Sequence, residues 1–141
     1  MRIFSLYMIM SAGILVSCES KEDCCAYTPD RYLKSWRLAE TGYSIGSGYT
    51  MVEVPSDPLQ MLKLDDNGEI TSTVNELEGY RYYKVITGSN VDDVVNFYKS
   101  KGDRESLSNE RAYSIVFGEG TLRLTYHYCT EGCHLGFVPA K

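Results

Sequence analysis

The strongest limit on what this chain can fold into is a succession of short stretches in which apolar and polar residues alternate, each ended by turn-forming residues. Side chains along a strand point to opposite faces in turn, so such alternation marks strands with one buried face. Around Leu33-Lys34-Ser35-Trp36-Arg37-Leu38, Trp36 and Leu38 share one face and Ser35 and Arg37 the other. Residues 41–49, rich in Gly and Ser, read as a loop, and residues 51–54 as a short strand stopped by Pro55 and Pro58. Residues 60–64 and 69–74 flank Asp65-Asp66-Asn67-Gly68, a hairpin turn whose Asn-Gly pair tolerates positive φ. Residues 79–87 form the clearest strand, with Tyr80, Tyr82, Lys84 and Ile86 on one side. Residues 90–101 are ambiguous. Val91, Val94, Val95 and Tyr98 fit a helix capped by Asn90, whereas Val95 and Phe97 alternate as in a strand; the strand reading is preferred from Val94 onward. Residues 112–117, the turn Gly118-Glu119-Gly120, residues 121–128 and residues 134–138 complete the pattern, with Leu122, Leu124 and Tyr126 on one face. Eight or so short strands joined by tight turns predict a mainly β, antiparallel sandwich or closed barrel.

The first residues are of another kind. Arg2 precedes an almost wholly apolar run over residues 3–16, shorter than the roughly 20 residues a membrane-spanning helix needs. A basic start, a short apolar run and small residues after it make an export signal. The run ends Leu15-Val16-Ser17-Cys18, which resembles the lipobox of bacterial lipoproteins. The resemblance implies cleavage before Cys18 and acylation of that cysteine, giving a palmitate-type anchor in the cell envelope, with the outer membrane as the expected site. Two or three acyl chains hold a protein stably where one does not. Lys21-Glu22-Asp23 resembles a signal that routes some Gram-negative lipoproteins to the cell surface, although a solvated linker would look the same. The expected organisation is a signal peptide over 1–17, an acidic tether over 18–31 and one domain over 32–141.

Without Arg2, thirteen basic side chains stand against nineteen acidic ones. No Lys/Arg-rich segment appears, which argues against nucleic acid and against charge-driven binding of anionic lipid head groups.

Three motifs together resemble a lipocalin-like family of small Gram-negative lipoproteins: Trp36-Arg37-Leu38 soon after the tether, a leucine-rich strand running into a turn at 62–68, and a terminal hairpin of Leu122-Arg123-Leu124 to Tyr128, Glu131-Gly132 and Phe137. The usual Gly-x-Trp start of lipocalins is absent. The resemblance implies a small up-and-down β-barrel of about eight strands.

Five cysteines raise the question of chemistry. Cys129-Thr130-Glu131-Gly132-Cys133 fits a three-residue hairpin loop whose flanking cysteines face each other within disulfide range. Pairing them leaves the adjacent Cys24 and Cys25 to each other in a strained ring. Because the first and last strands of a closed barrel are neighbours, a cross-link from Cys24 or Cys25 to this hairpin is the preferred expectation. His127, Cys129, Cys133 and His134 could also be read as a zinc site. Yet Cys133 and His134 point to opposite faces of a strand, and export favours oxidised thiols, so the preferred reading is a disulfide with two surface histidines and no metal or other cofactor. Asp65, Asp66, Asp92, Asp93 and Glu131 fall mostly in turns, and no catalytic constellation stands out. Eleven of the twelve tyrosines follow Cys18, Tyr80, Tyr82 and Tyr83 among them; they suit contact surfaces but also fill strands.

The expected function is therefore not an enzyme's. It is a membrane-anchored binding module for a small apolar or amphipathic molecule, or alternatively a protein-interaction lipoprotein, such as a hydrolase inhibitor or an accessory subunit of an envelope complex. An interior apolar cavity would favour the first, and a filled barrel with an exposed tyrosine or apolar patch the second.

Overall fold

The computed structural model describes residues 30–46, 48–88, 92–130 and 132–141, with the side chain of residue 45 left aside. The expected signal peptide, the expected lipid attachment at Cys18, the cysteines Cys24 and Cys25 of the expected tether, Asn90 and Val91 lie outside the described residues. The elements are β1 (Ser35–Ile45), β2 (Gly48–Glu53), β3 (Met61–Leu64), β4 (Ile70–Ser72), a 3-10 turn (Asn75–Leu77), β5 (Tyr82–Ile86), β6 (Asp93–Tyr98), a short helix α1 (Lys101–Ser106), β7 (Arg111–Gly118), β8 (Thr121–Tyr126) and β9 (His134–Pro139).

All strand pairs are antiparallel, in the order β4-β3-β1-β9-β8-β7-β6-β5. The two ends of that order meet at a bridge between Glu69 and Tyr82, supported by bonds from Ile70 N–H to the Arg81 carbonyl and from Tyr83 N–H to the Gly68 carbonyl, each 2.9 Å. The sheet is thus nearly closed into a barrel, the mainly β antiparallel architecture that alternation predicts.

Alternation also places the core. Trp36, Leu38, Leu62, Leu64, Leu122 and Leu124 are all buried, together with Tyr83, Val85, Val95, Phe97, Tyr113, Ile115, Leu135 and Phe137. The Trp36 indole N–H donates to the Tyr32 carbonyl at 3.1 Å, and its ring meets Phe117 edge-on. Just before β1, Tyr32 donates to the Asp93 carboxylate on β6 at 2.6 Å, and Arg31 pairs with the same carboxylate at 2.7 Å. Burial first, then the bond to Asp93, pushes the Tyr32 hydroxyl up to about 12. These contacts fix where the chain enters the barrel, beside Phe117 at the end of β7.

The strand reading of residues 94–98 holds, with Val95 and Phe97 facing inward. Other expectations need correction. Residues 41–49 are not a loop: β1 runs on to Ile45 and turns back into β2, with Ile45 opposite Gly48. The strand expected over 121–128 ends at Tyr126, and that over 69–74 shortens to Ile70–Ser72. The helix α1 has no counterpart in the sequence reading. Its start is capped by the Ser100 hydroxyl, which accepts from Asp103 N–H at 3.0 Å.

β1 carries one irregularity. Leu38 stands opposite Phe137 on β9 and Glu40 opposite Gly136, so Ala39 is an extra, bulged residue. A bulge shifts the alternation by one. Strict period two from Trp36 and Leu38 would send Glu40 into the core; after the bulge Glu40 and Gly42 face outward.

Candidate functional site

The bulge divides β1 into two halves with different neighbours on the same edge. Ser35–Arg37 pair with β3, and Glu40–Ile45 pair with β2. β9 lies along the other edge of both halves. The second half and β2 therefore make a hairpin whose far strand is bonded to β1 alone among the described residues. Every residue of β2 is exposed. Tyr49 (51% exposed), Met51 (54%) and Val52 (44%) are large apolar side chains open to solvent, and Tyr43 on β1 is exposed as well.

One side of this hairpin is clasped to the barrel wall. Tyr49 on β2 stacks on His134 of β9, with ring centroids 5.5 Å apart and an interplanar angle of 14°. The Tyr49 hydroxyl is hydrogen-bonded to His134 Nδ1, and His134 Nε2 lies 3.2 Å from Glu40 Oε1. A carboxylate only accepts, so His134 Nε2 carries a proton and donates to Glu40, while the Tyr49 hydroxyl, able to donate or accept, bonds Nδ1. Arg123 on β8 completes the row with a 2.9 Å bond to the same Glu40 oxygen.

Two glycines make room for it. A Cβ on Gly42 would collide with the His134 ring and the Tyr49 hydroxyl, and one on Gly136 would collide with the Glu40 side chain. Both sites need glycine for space, whatever their backbone angles. As a result His134 is 3% exposed although it faces the outside of the barrel. The expectation of a surface histidine is corrected here: its lid is Tyr49, 85 residues away in sequence.

Cys129 and Cys133 are joined as a disulfide, with Cα atoms 5.6 Å apart. The preferred cross-link from Cys24 or Cys25 to this hairpin is corrected, because the two hairpin cysteines take each other. The loop turns tightly enough for this because Gly132 N–H reaches back to the Cys129 carbonyl at 3.1 Å and Tyr126 N–H to the Cys133 carbonyl at 2.9 Å. His127 leaves the cysteines and shares a 2.7 Å bond with the Ser114 hydroxyl. The residues of the zinc reading are thus drawn to different partners. Among the described residues no three His, Cys, Asp or Glu side chains gather as a metal site. Of the singled-out tyrosines, Tyr83 is buried and donates to the Asp65 carbonyl at 2.6 Å, while Tyr80 and Tyr82 are half-buried.

Below the clasp, the outer wall of β7, β8, β9 and β1 carries a groove of about 450 Å³. Gly136 forms part of its floor, Val116 and Val138 its apolar sides, and Glu40, Arg123 and Glu119 its polar rim. No family model, curated protein or solved structure matches the chain.

Proposed function

We propose that this chain is a lipid-anchored, lipocalin-like module of the bacterial cell envelope, tethered through Cys18, that engages a protein partner with its β1–β2 hairpin. The observation that carries the reading is the hairpin itself: an exposed strand with Tyr49 and Met51 on its outer face and Val52 exposed on the other, held to the wall by the His134 clasp. Tyrosine and methionine are enriched where proteins meet. A hairpin fixed before binding loses less entropy on binding than a mobile one.

The place where the described chain begins fits this use. The described chain begins at Asp30, is pinned by Arg31 to Asp93 at the start of β6, and then runs up β1 for eleven residues before it turns. At about 3.3 Å per residue that is roughly 35 Å, which sets the hairpin tip far from where the tether emerges. Meanwhile the barrel face is filled with large rings, Trp36, Tyr83, Phe97, Tyr113 and Phe137. A second reading, a small apolar or amphipathic ligand, draws support from the outer groove, whose size suits such a molecule.

A photo-cross-linking side chain placed at Met51 in living cells tests the first reading, with Ile86, similarly exposed on β5, as the control. A discrete protein adduct from Met51, absent from Ile86 and lost with the unanchored Cys18→Ala chain, is the expected result. Equal adducts from both positions, or none from Met51, would sink it.

A further inference from the structure

With the hairpin taken as the contact surface proposed for it, the backbone of β2 says what kind of segment it can receive. Val54 N–H donates to the Ala39 carbonyl at 2.8 Å. In an antiparallel pair, residues that exchange bonds alternate with residues that do not. Counting from Ala39 and Val54, the bonded pairs are Thr41 with Val52 and Tyr43 with Thr50. The remaining pairs are Glu40 with Glu53, Gly42 with Met51 and Ser44 with Tyr49. The N–H and C=O groups of Tyr49, Met51 and Glu53 therefore point away from β1, along an edge that no described strand occupies.

Proteins commonly blunt such edges with Lys, Pro, a bulge or a very short strand. β2 has six residues, Gly48-Tyr49-Thr50-Met51-Val52-Glu53, with no Lys and no Pro among them. Its one charge is informative. Glu53 stands directly opposite Glu40, a like-charge cross-strand pair, which is unfavourable. Glu40 is drawn off toward Arg123 and His134, and Glu53 has no ion pair among the described residues. A cation supplied from the free side would relieve this site.

We infer that the free edge of β2 receives an extended segment of a partner protein by antiparallel strand addition, with a basic residue opposite Glu53 and apolar residues opposite Met51 and Tyr49. Backbone bonds to an exposed edge give such complexes their affinity, and alternate side chains give their specificity. Read from its N-terminus, the segment passes Glu53 first. Its pattern is basic, any residue, apolar, any residue, then a β-branched or aromatic residue to lie against Tyr49. A second copy of β2 fits less well: centred on Met51, it would set Glu53 against Tyr49 and leave the carboxylate without a cation.

The test uses the full lipidated chain in micelles and a synthetic peptide containing Lys-Thr-Val-Thr-Tyr, with Glu replacing Lys in the control. Amide exchange at Tyr49, Met51 and Glu53 should slow about tenfold with the Lys peptide, while Thr50 and Val52, already bonded to β1, change little. Glu53→Lys should reverse the preference between the two peptides. Met51→Pro removes an outward donor and an exposed side chain but no bond to β1, so it should abolish peptide protection and leave the thermal transition nearly in place. The inference falls if the peptide protects none of the three amides, if the charge swap changes nothing, or if the chain pairs with itself along this edge instead. If the Met51 adduct forms in cells while the peptide leaves all three amides unchanged, the partner contacts the hairpin faces and only strand addition is lost. If the adduct is missing too, both readings fall.

Discussion

The two halves of β1 are one continuous strand in two different situations. In the first half, Trp36 and Leu38 are sealed inside the barrel. In the second, no described side chain is sealed in the core: Tyr43 is exposed and Glu40 and Gly42 face the outer wall, where the covering comes from Tyr49 and His134. The first half is held by the hydrophobic effect, the second by backbone pairing and one polar clasp. Core burial stabilises a strand whatever it binds. A strand held from outside can be firm and still present its far edge. The bulge at Ala39 allows one strand to do both.

The sharpest way to break this contrast is to empty the first half. Trp36→Ala removes a fully buried ring and its bond to the Tyr32 carbonyl, and should cost about 3–5 kcal/mol in denaturant unfolding. An unchanged midpoint would mean that the first half is not core.

The second half should respond more mildly and more locally. Gly42→Ala forces a methyl group into the space of the His134 ring and the Tyr49 hydroxyl. A loss of about 1–3 kcal/mol is expected. It should be accompanied by faster amide exchange in β2 and by disruption of the Nε2-protonated state of His134 in nitrogen NMR. If β2 exchanges as before, the clasp does not hold the hairpin.

The smallest effect belongs to the disulfide. Cys129 and Cys133 are four positions apart, so the closed loop is short, and chain entropy assigns the bond about 2 kcal/mol at most. A link from the tether would close about a hundred residues and contribute up to about 4–5 kcal/mol. Reduction that lowers stability by the larger amount would put the cross-link back on the tether; a small loss confined to the β8–β9 loop keeps it where the structure has it.

The same contrast explains how much could be read from residues alone. Trp36, Leu38, Leu62, Leu64, Leu122 and Leu124 announce their burial because a core selects apolar residues at every second position. The hairpin gives no such signal. Its described residues pack on no core, and Thr41 to Tyr49 shows mainly Gly, Ser and Tyr, the composition of a loop. Ala39 carries no mark of a bulge, and without the bulge Glu40 has no reason to face outward. The clasp joins Glu40, Tyr49, Arg123 and His134 from four strands, and no local spacing links them. The turn between Cys129 and Cys133 was legible through its glycine, but the choice of pairing was not: it depends on how closely that loop folds back.

That a single strand runs from Ser35, near the first described residues, to the hairpin tip also decides how the molecule carries force. If the proposed anchor holds the chain through residues that precede Asp30, tension between it and a grip at the tip would travel along the covalent backbone of β1, without passing through the other barrel strands. A grip on β2 alone would load the β1–β2 hydrogen bonds along the strand axis. Those bonds lie across the strands, so they would be strained together in shear and not opened one at a time. In either case the barrel is a bystander to the pull. Its folded state need not resist the load directly, and a modest domain can serve as a fixed post.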